Sequence, residues 1–149
     1  MNLHIEAQSS SALARERREL LIQRWSFLLA QGRTELHLKQ WFIASAYYQE
    51  ALLTVEALLA TSSCKNCALR CYLRALFECT YISSKIHGDD SIELLEQAGA
   101  LILSGYLPMQ TIEKLLEPLA ELKRYNDADR DLWINRFFAG DAAHRKQLH

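Results

Sequence analysis

The sequence predicts an all-α protein, and three features of the 149-residue chain support that prediction. The chain has only two prolines and five glycines, so few positions interrupt a helix. Leu, Ala, Glu, Arg, Lys and Gln, which favour helices, are abundant. Apolar residues recur at helical spacing, and no segment alternates apolar and polar residues between turn signals as a strand would. We therefore expect about six helices, paired as antiparallel hairpins in a single domain over residues 1–149.

The first half of the chain predicts three helices. The first begins at the serines of residues 9–11, whose hydroxyls suit an N-cap, and its leucines recur at helical spacing to about Leu38. The second covers about residues 41–60. The third follows the polar residues 61–63 and ends at Gly88, since glycine adopts the left-handed backbone of a helix C-terminus at little cost.

The fourth and fifth helices are marked by caps and prolines. Asp90 and Glu93 have the spacing of a capping box, so the fourth helix should run from Asp90 to about residue 104. Pro108 suits the first turn of the fifth helix. Pro118 should kink or split that helix, because proline removes an i to i−4 hydrogen bond.

The sixth helix should be capped by Asn126 or Asp127 and closed by Gly140. Beyond it, residues 141–149 are expected to form a frayed polar tail, as are residues 1–8 at the other end. Connections this short force neighbouring helices to run antiparallel.

Composition and charge exclude several classes of function. The formal net charge of -1 gives no overall attraction to nucleic acid or to an anionic membrane. The apolar runs, such as residues 98–103, are far shorter than the roughly 18 residues that span a bilayer. Residues 1–11 have neither the basic nor the apolar region of a secretory signal. We expect a cytoplasmic protein with no membrane partner, in which the four cysteines are thiols.

One segment carries a repeat-like pattern of small and aromatic residues. The pattern reads Leu28-x-x-x-Gly32, then Trp41-x-x-Ala44-x-x-x-Tyr48-x-x-Ala51-Leu52. Small residues at positions 32 and 44 would let two antiparallel helices approach closely, while the larger residues fill the space around them. Over about residues 25–58, this pattern resembles one tetratricopeptide repeat (TPR).

The resemblance covers one repeat, and the sequence departs from it at three positions. Gln31, Glu35 and Lys39 stand where that family has, in turn, a leucine, an aromatic residue and a turn glycine or asparagine. The later hairpins are then divergent repeats or helices of another bundle. The resemblance implies a short TPR-like α-solenoid, acting as a non-enzymatic adaptor or chaperone that binds a protein or peptide in a helical groove.

The resemblance also implies a binding face on the first helix of the hairpin. Aligned from Gly32, the groove positions are Ser26, Leu29, Arg33, Leu36 and His37. Their spacing places them along one side of a helix, where the leucines offer apolar contact and Arg33 can hold a carboxylate. We expect a mixed apolar and acidic peptide as the ligand. The alternative is that Leu29 and Leu36 are buried against a neighbouring helix and no groove exists.

The cysteines raise a chemical alternative. Cys64 and Cys67 form a C-x-x-C pair at a predicted helix start, where the helix N-terminus and Lys65 would favour a thiolate and redox chemistry. With Cys71, the pair could also begin a metal site, although Cys79 lies too far along the helix to join it. We expect structural thiols and no cofactor, with Cys71 and Cys79 as small core residues.

A second alternative is nucleic-acid binding by the first helix, which carries Arg15, Arg17, Arg18 and Arg24. Two nearby glutamates dilute that charge, so a solvated helix face is the better account. The sequence has no phosphate-binding glycine loop and no recognisable catalytic constellation, and we therefore predict no enzymatic activity. The partner's identity and the formation of a homo-oligomer stay open.

Overall fold

The computed structural model describes the backbone of residues 3–61 and 64–148 and the side chains of residues 12–61 and 64–140. Within those residues the chain forms seven helices and no strand, which confirms the all-α class. The helices are α1 (Leu3–His37), α2 (Trp41–Thr61), α3 (Lys65–His87), α4 (Asp90–Leu103), α5 (Met109–Leu115), α6 (Glu117–Arg124) and α7 (Asp127–Leu148).

The chain divides into two compact units, Met1–Ala75 and Leu76–His149, with the boundary inside α3. The first unit contains α1, α2 and the first half of α3, and the second contains the remaining helices. The single domain predicted over residues 1–149 stays a prediction.

The first unit is built on a close contact between α1 and α2. A methyl group added at Gly32 would lie 2.8 Å from Cε2 of Tyr48, so the absence of a side chain on α1 makes room for the tyrosine ring. Ala44, Tyr48 and Ala51 have no exposed surface, and Leu28 is also buried. The small and aromatic residues of the repeat-like pattern therefore lie in the core of this hairpin.

The turn between α1 and α2 is closed by backbone hydrogen bonds. The N–H of Gln40 donates to the carbonyl of Glu35 at 2.9 Å, and the N–H of Lys39 donates to the carbonyl of Leu36 at 3.0 Å. This pair of bonds is a Schellman motif, which requires a left-handed residue just past the helix. Lys39 supplies it with a φ of 60°. A lysine thus adopts the backbone conformation that the repeat family assigns to glycine or asparagine.

The second unit has an aromatic cluster and an aliphatic core. Trp133 is 1 % exposed, and its ring lies 4.6 Å from that of Phe137 and 6.3 Å from that of Phe77, measured between centroids. Both pairs meet edge to face, which is the favoured geometry for aromatic rings. Side chains from α4, α5 and α6 complete the core: Ile92, Leu103, Ile112, Leu119 and Leu122 are all buried.

Arg130 joins three segments of the second unit. It is 4 % exposed, and its Nε donates to the carbonyl of Leu122 at 2.8 Å while one terminal nitrogen donates to the carboxylate of Asp89 at 2.8 Å. The other terminal nitrogen donates to the carbonyl of Lys123 at 3.2 Å. The guanidinium therefore donates to two carbonyls of the last turn of α6, one of which, that of Leu122, also accepts the N–H of the C-cap residue Tyr125.

Several predicted boundaries are confirmed. Helix α3 ends at His87, and Gly88 follows with a left-handed φ of 82°. Asn126 caps α7, because its Oδ1 accepts from the N–H of Asp129 at 2.9 Å. Pro118 lies in the first turn of α6, so the expected fifth helix is two helices and the total is seven rather than six.

Three expectations are corrected. Helix α1 starts at Leu3, so residues 9–11 lie inside it rather than at its cap. Asp90 is the first residue of α4 and not its cap, while the preceding Asp89 has a helical backbone and makes no capping bond, and its carboxylate binds Arg130. Gly140 does not close α7, which continues to Leu148, because one glycine costs a helix only about 1 kcal/mol. The frayed ends predicted for residues 1–8 and 141–149 stay a prediction, since their side chains lie outside the described set.

Replacing Gly32 by leucine should destabilise the protein by about 1–3 kcal/mol, because overpacking displaces a buried ring. Tyr48 cannot swing into solvent, since it has no exposed surface. Ala44→Leu should behave alike. Urea unfolding followed by circular dichroism measures the loss. Gly140→Ala is the matched control, because a methyl group there meets nothing within 4 Å. Equal stability of Gly32→Leu and the wild type would contradict the close helix contact.

Replacing Lys39 by glycine should stabilise the protein and raise its melting temperature. A residue with a Cβ in the left-handed region costs about 1–2 kcal/mol of folding free energy, which glycine avoids. Glycine also gives the unfolded chain more conformational entropy, but this destabilises the folded state by only about 0.4–1 kcal/mol. Thermal unfolding of the variant tests this, with Lys39→Ala as the control that keeps the strained Cβ. A lower melting temperature for the glycine variant would show that the turn is not left-handed at this residue.

Candidate functional site

The five predicted groove residues of α1 do not form one accessible face. Ser26 and His37 are exposed and Arg33 is half-buried, whereas Leu29 and Leu36 are only 4 % and 5 % exposed. Each residue turns a helix by about 100°, so the two leucines lie at the edge of the packing face and the three polar residues lie beside it. The expected apolar contact from Leu29 and Leu36 is therefore wrong, because both side chains are part of the core.

One flank of α1 exposes apolar residues instead. Leu13, Leu20 and Phe27 are 65 %, 65 % and 60 % exposed, and they recur every seven residues. Seven residues make nearly two helical turns, so the three side chains form one stripe, about 100° around the axis from the face that carries Gly32 and Leu28. We call Leu13, Leu20 and Phe27 the outer stripe. The seven-residue spacing is visible in the sequence, but without the hairpin these leucines are indistinguishable from core positions.

The arginines of α1 are dispersed around the helix. Arg24 lies beside the outer stripe and pairs with Glu50 of α2 at 2.9 Å. Arg15 and Arg17 are exposed, and they lie about 200° apart around the axis, since they are two positions apart in the helix. Arg18 lies in a third direction, beside Cys64, where its charge lowers the pKa of that thiol. The basic residues therefore do not form the continuous stripe that a nucleic acid would need.

Cys64 and Cys67 are in direct contact at the start of α3. Both are exposed, and their sulfur atoms lie 2.7 Å apart. Cys64 is the residue before the helix, so its sulfur can accept the free N–H of Cys67 in the manner of an N-cap. Hydrogen bonds from the thiol and from the backbone of Cys67 lower the pKa of Cys64, and the charges of Arg18 and Arg70 add to that effect. The pKa of Cys67 is raised by the same thiol contact.

The other two cysteines lie progressively deeper in α3. Cys71 is half-buried and Cys79 is buried, and burial raises the pKa of both thiols, that of Cys79 to about 12. Among the described side chains no three His, Cys, Asp or Glu residues converge on a point that could hold a metal ion. The alternative metal site of Cys64, Cys67 and Cys71 stays a prediction, and Cys71 is only half-buried. Cys79 is a core residue, as predicted.

The second unit contains a cleft that the sequence did not indicate. It has a volume of about 390 Å³ and lies between α4, α5 and α6. Met109, Ile112 and Leu116 give it apolar walls, and Glu96, Glu113 and Glu117 line it with carboxylates. Its residues are spread over three helices, so only the folded chain brings them together.

Comparison with known proteins gives no relative. No family model, no curated protein and no solved structure matches the chain. In the described part of the chain, no helix combines the length and apolar character needed to cross a membrane.

Because Cys79 is buried, its thiol should be far less reactive in the native protein than in the unfolded protein. A pKa of about 12 leaves almost no thiolate at neutral pH, and the buried sulfur is closed to reagents. Iodoacetamide at neutral pH should therefore leave Cys79 unmodified in the native protein and modify it in urea. Peptide mass spectrometry measures both states, with Cys79→Ser identifying the modified peptide. Rapid native modification of Cys79 would show that this part of α3 opens.

Proposed function

We propose that this chain is a non-enzymatic protein-binding module, an adaptor or chaperone built of TPR-like helical hairpins, whose partner binds the solvent-facing side of α1. The observation that carries the proposal is the outer stripe. Apolar side chains that recur every seven residues on an exposed flank of a helix, outside its packing face, favour a surface that another protein covers.

The TPR-like part of the proposal rests on the α1–α2 hairpin. Gly32 and Tyr48 touch across it, Ala44 and Ala51 are fully buried, and Lys39 makes the left-handed turn. These are the roles that the repeat pattern assigns to its small, aromatic and turn positions. We extend this architecture to the later hairpins as divergent repeats.

The charge of α1 favours an acidic partner. Residues 12–37 contain five arginines and three glutamates, a balance of +2. Arg17 is exposed beside the outer stripe, and Arg33, Ser26 and His37 lie about 80–120° around the helix from Phe27. A partner with apolar residues and carboxylates would bury the stripe and neutralise this charge, which favours both affinity and the rate of encounter. An amphipathic acidic helix laid along α1 has that chemistry.

We expect Phe27→Asp and Arg33→Glu to reduce partner binding at least severalfold, because the first puts a charge into an apolar contact and the second reverses an attraction. Phe27 is 60 % exposed, so the variant should keep its melting temperature. Tagged protein is used to capture partners from lysate of the native cells, and quantitative mass spectrometry compares the variants with wild type.

Leu132→Asp is the matched control, because Leu132 is 66 % exposed and belongs to α7, which carries none of the proposed binding residues. A Glu113→Lys variant tests the alternative that a basic partner binds the acidic cleft of the second unit instead of α1. Light scattering on each purified protein separates self-association from binding to another protein. Capture that survives both α1 changes but not Glu113→Lys would move the binding site to the cleft, and capture that survives all of them would overturn the proposal.

A further inference from the structure

Cys64 and Cys67 have the arrangement of a reactive dithiol rather than of structural thiols. The two sulfurs are 2.7 Å apart and both are exposed, so a reagent can reach either one. Neither thiol contributes a buried side chain to the core, in contrast to Cys79. Burial and packing therefore do not explain why residues 64 and 67 are cysteines.

The surroundings of the pair distinguish its two members. The sulfur of Cys64 precedes the first turn of α3, where free N–H groups and the positive end of the helix favour a thiolate. Arg18 on α1 and Arg70 on α3 add positive charge on that side. Lys65 is turned away, because its ammonium donates to the carbonyl of Leu59 at the end of α2. Cys67 lies one turn into the helix, within reach of Cys64, as a second attacking thiol would have to be.

We propose that Cys64 and Cys67 form a reversible dithiol–disulfide pair that exchanges with small disulfides of the glutathione type, with Cys64 as the attacking thiol and Cys67 as the resolving thiol. Residues three apart on a first helical turn have Cβ atoms about 5–6 Å apart, so a small rotation at the helix start brings them within disulfide range. The proposal adds a redox-sensitive site to the chain and does not depend on the α1 surface binding a partner.

The exchange proceeds in two balanced steps. The Cys64 thiolate attacks one sulfur of glutathione disulfide, a mixed disulfide forms, and one glutathione leaves as its thiolate. Cys67 then loses its proton, attacks the Cys64 sulfur and releases the second glutathione. In total, two protein thiols lose two electrons and two protons, and one glutathione disulfide becomes two glutathione thiols. Excess reduced glutathione reverses both steps.

Intact-mass spectrometry of the full chain in glutathione disulfide tests the proposal. Wild type should lose the mass of two hydrogens without keeping an adduct, and peptide mapping should place the disulfide between residues 64 and 67. Cys67→Ser should accumulate one glutathione on Cys64, because nothing resolves the mixed disulfide. Cys64→Ser should form no intramolecular disulfide and react more slowly than wild type, since residue 64 is the one that precedes the free N–H groups of the helix start, which favour a thiolate.

Cys71→Ser is the matched control and should behave as wild type, because that thiol is half-buried. Arg18→Gln with Arg70→Gln should slow the first step severalfold without preventing disulfide formation at completion, while circular dichroism confirms that the helices persist. The proposal is overturned if Cys67→Ser accumulates no adduct, if Cys64→Ser reacts as fast as wild type, or if the disulfide maps to Cys71.

Discussion

The contact between Gly32 and Tyr48 determines the surface of the first unit. Because the ring occupies the space in which a Cβ would stand, α1 has one rotation about its axis that lets α2 approach. That rotation puts Leu28, Leu29 and Leu36 inside and leaves the outer stripe in solvent. The proposed binding surface is thus a consequence of core packing: one missing side chain on the inner face decides which residues the outer face presents.

The sequence predicted the helices well because their signals are local. Gly88 and Asn126 act within one turn of the positions they terminate or cap, so their effect can be read without the fold. The absence of an accessible groove could not be predicted from local signals. Leu29 and Leu36 have a spacing that fits both groove positions and positions at the edge of the core, and only the packing of the folded chain distinguishes these two. The acidic cleft was invisible, because its residues come from three helices.

Arg130 shows how a tertiary contact overrides a local rule. In the sequence, an arginine in a run of aspartates at a helix start reads as a solvated residue. In the structure it is buried, binds the carboxylate of Asp89 and donates to two carbonyls at the end of α6. Burying a charge costs several kcal/mol unless it is paired and hydrogen-bonded, and here all three nitrogens have acceptors.

The arginines of α1 lie on different sides of the helix, and this bears differently on the two alternatives of nucleic-acid binding and thiol chemistry. Arg24 pairs with Glu50, the charge of Arg18 acts on Cys64, and Arg33 is half-buried, about a third of a turn from Phe27. Binding a nucleic acid needs several positive charges on one surface, and the arginines of α1 do not share one surface. The pKa of Cys64 is lowered mainly by the hydrogen bonds from Cys67, and the charges of Arg18 and Arg70 add a smaller part. The dispersal of arginines that argues against a nucleic-acid surface on α1 therefore does not argue against the proposed reactivity of Cys64.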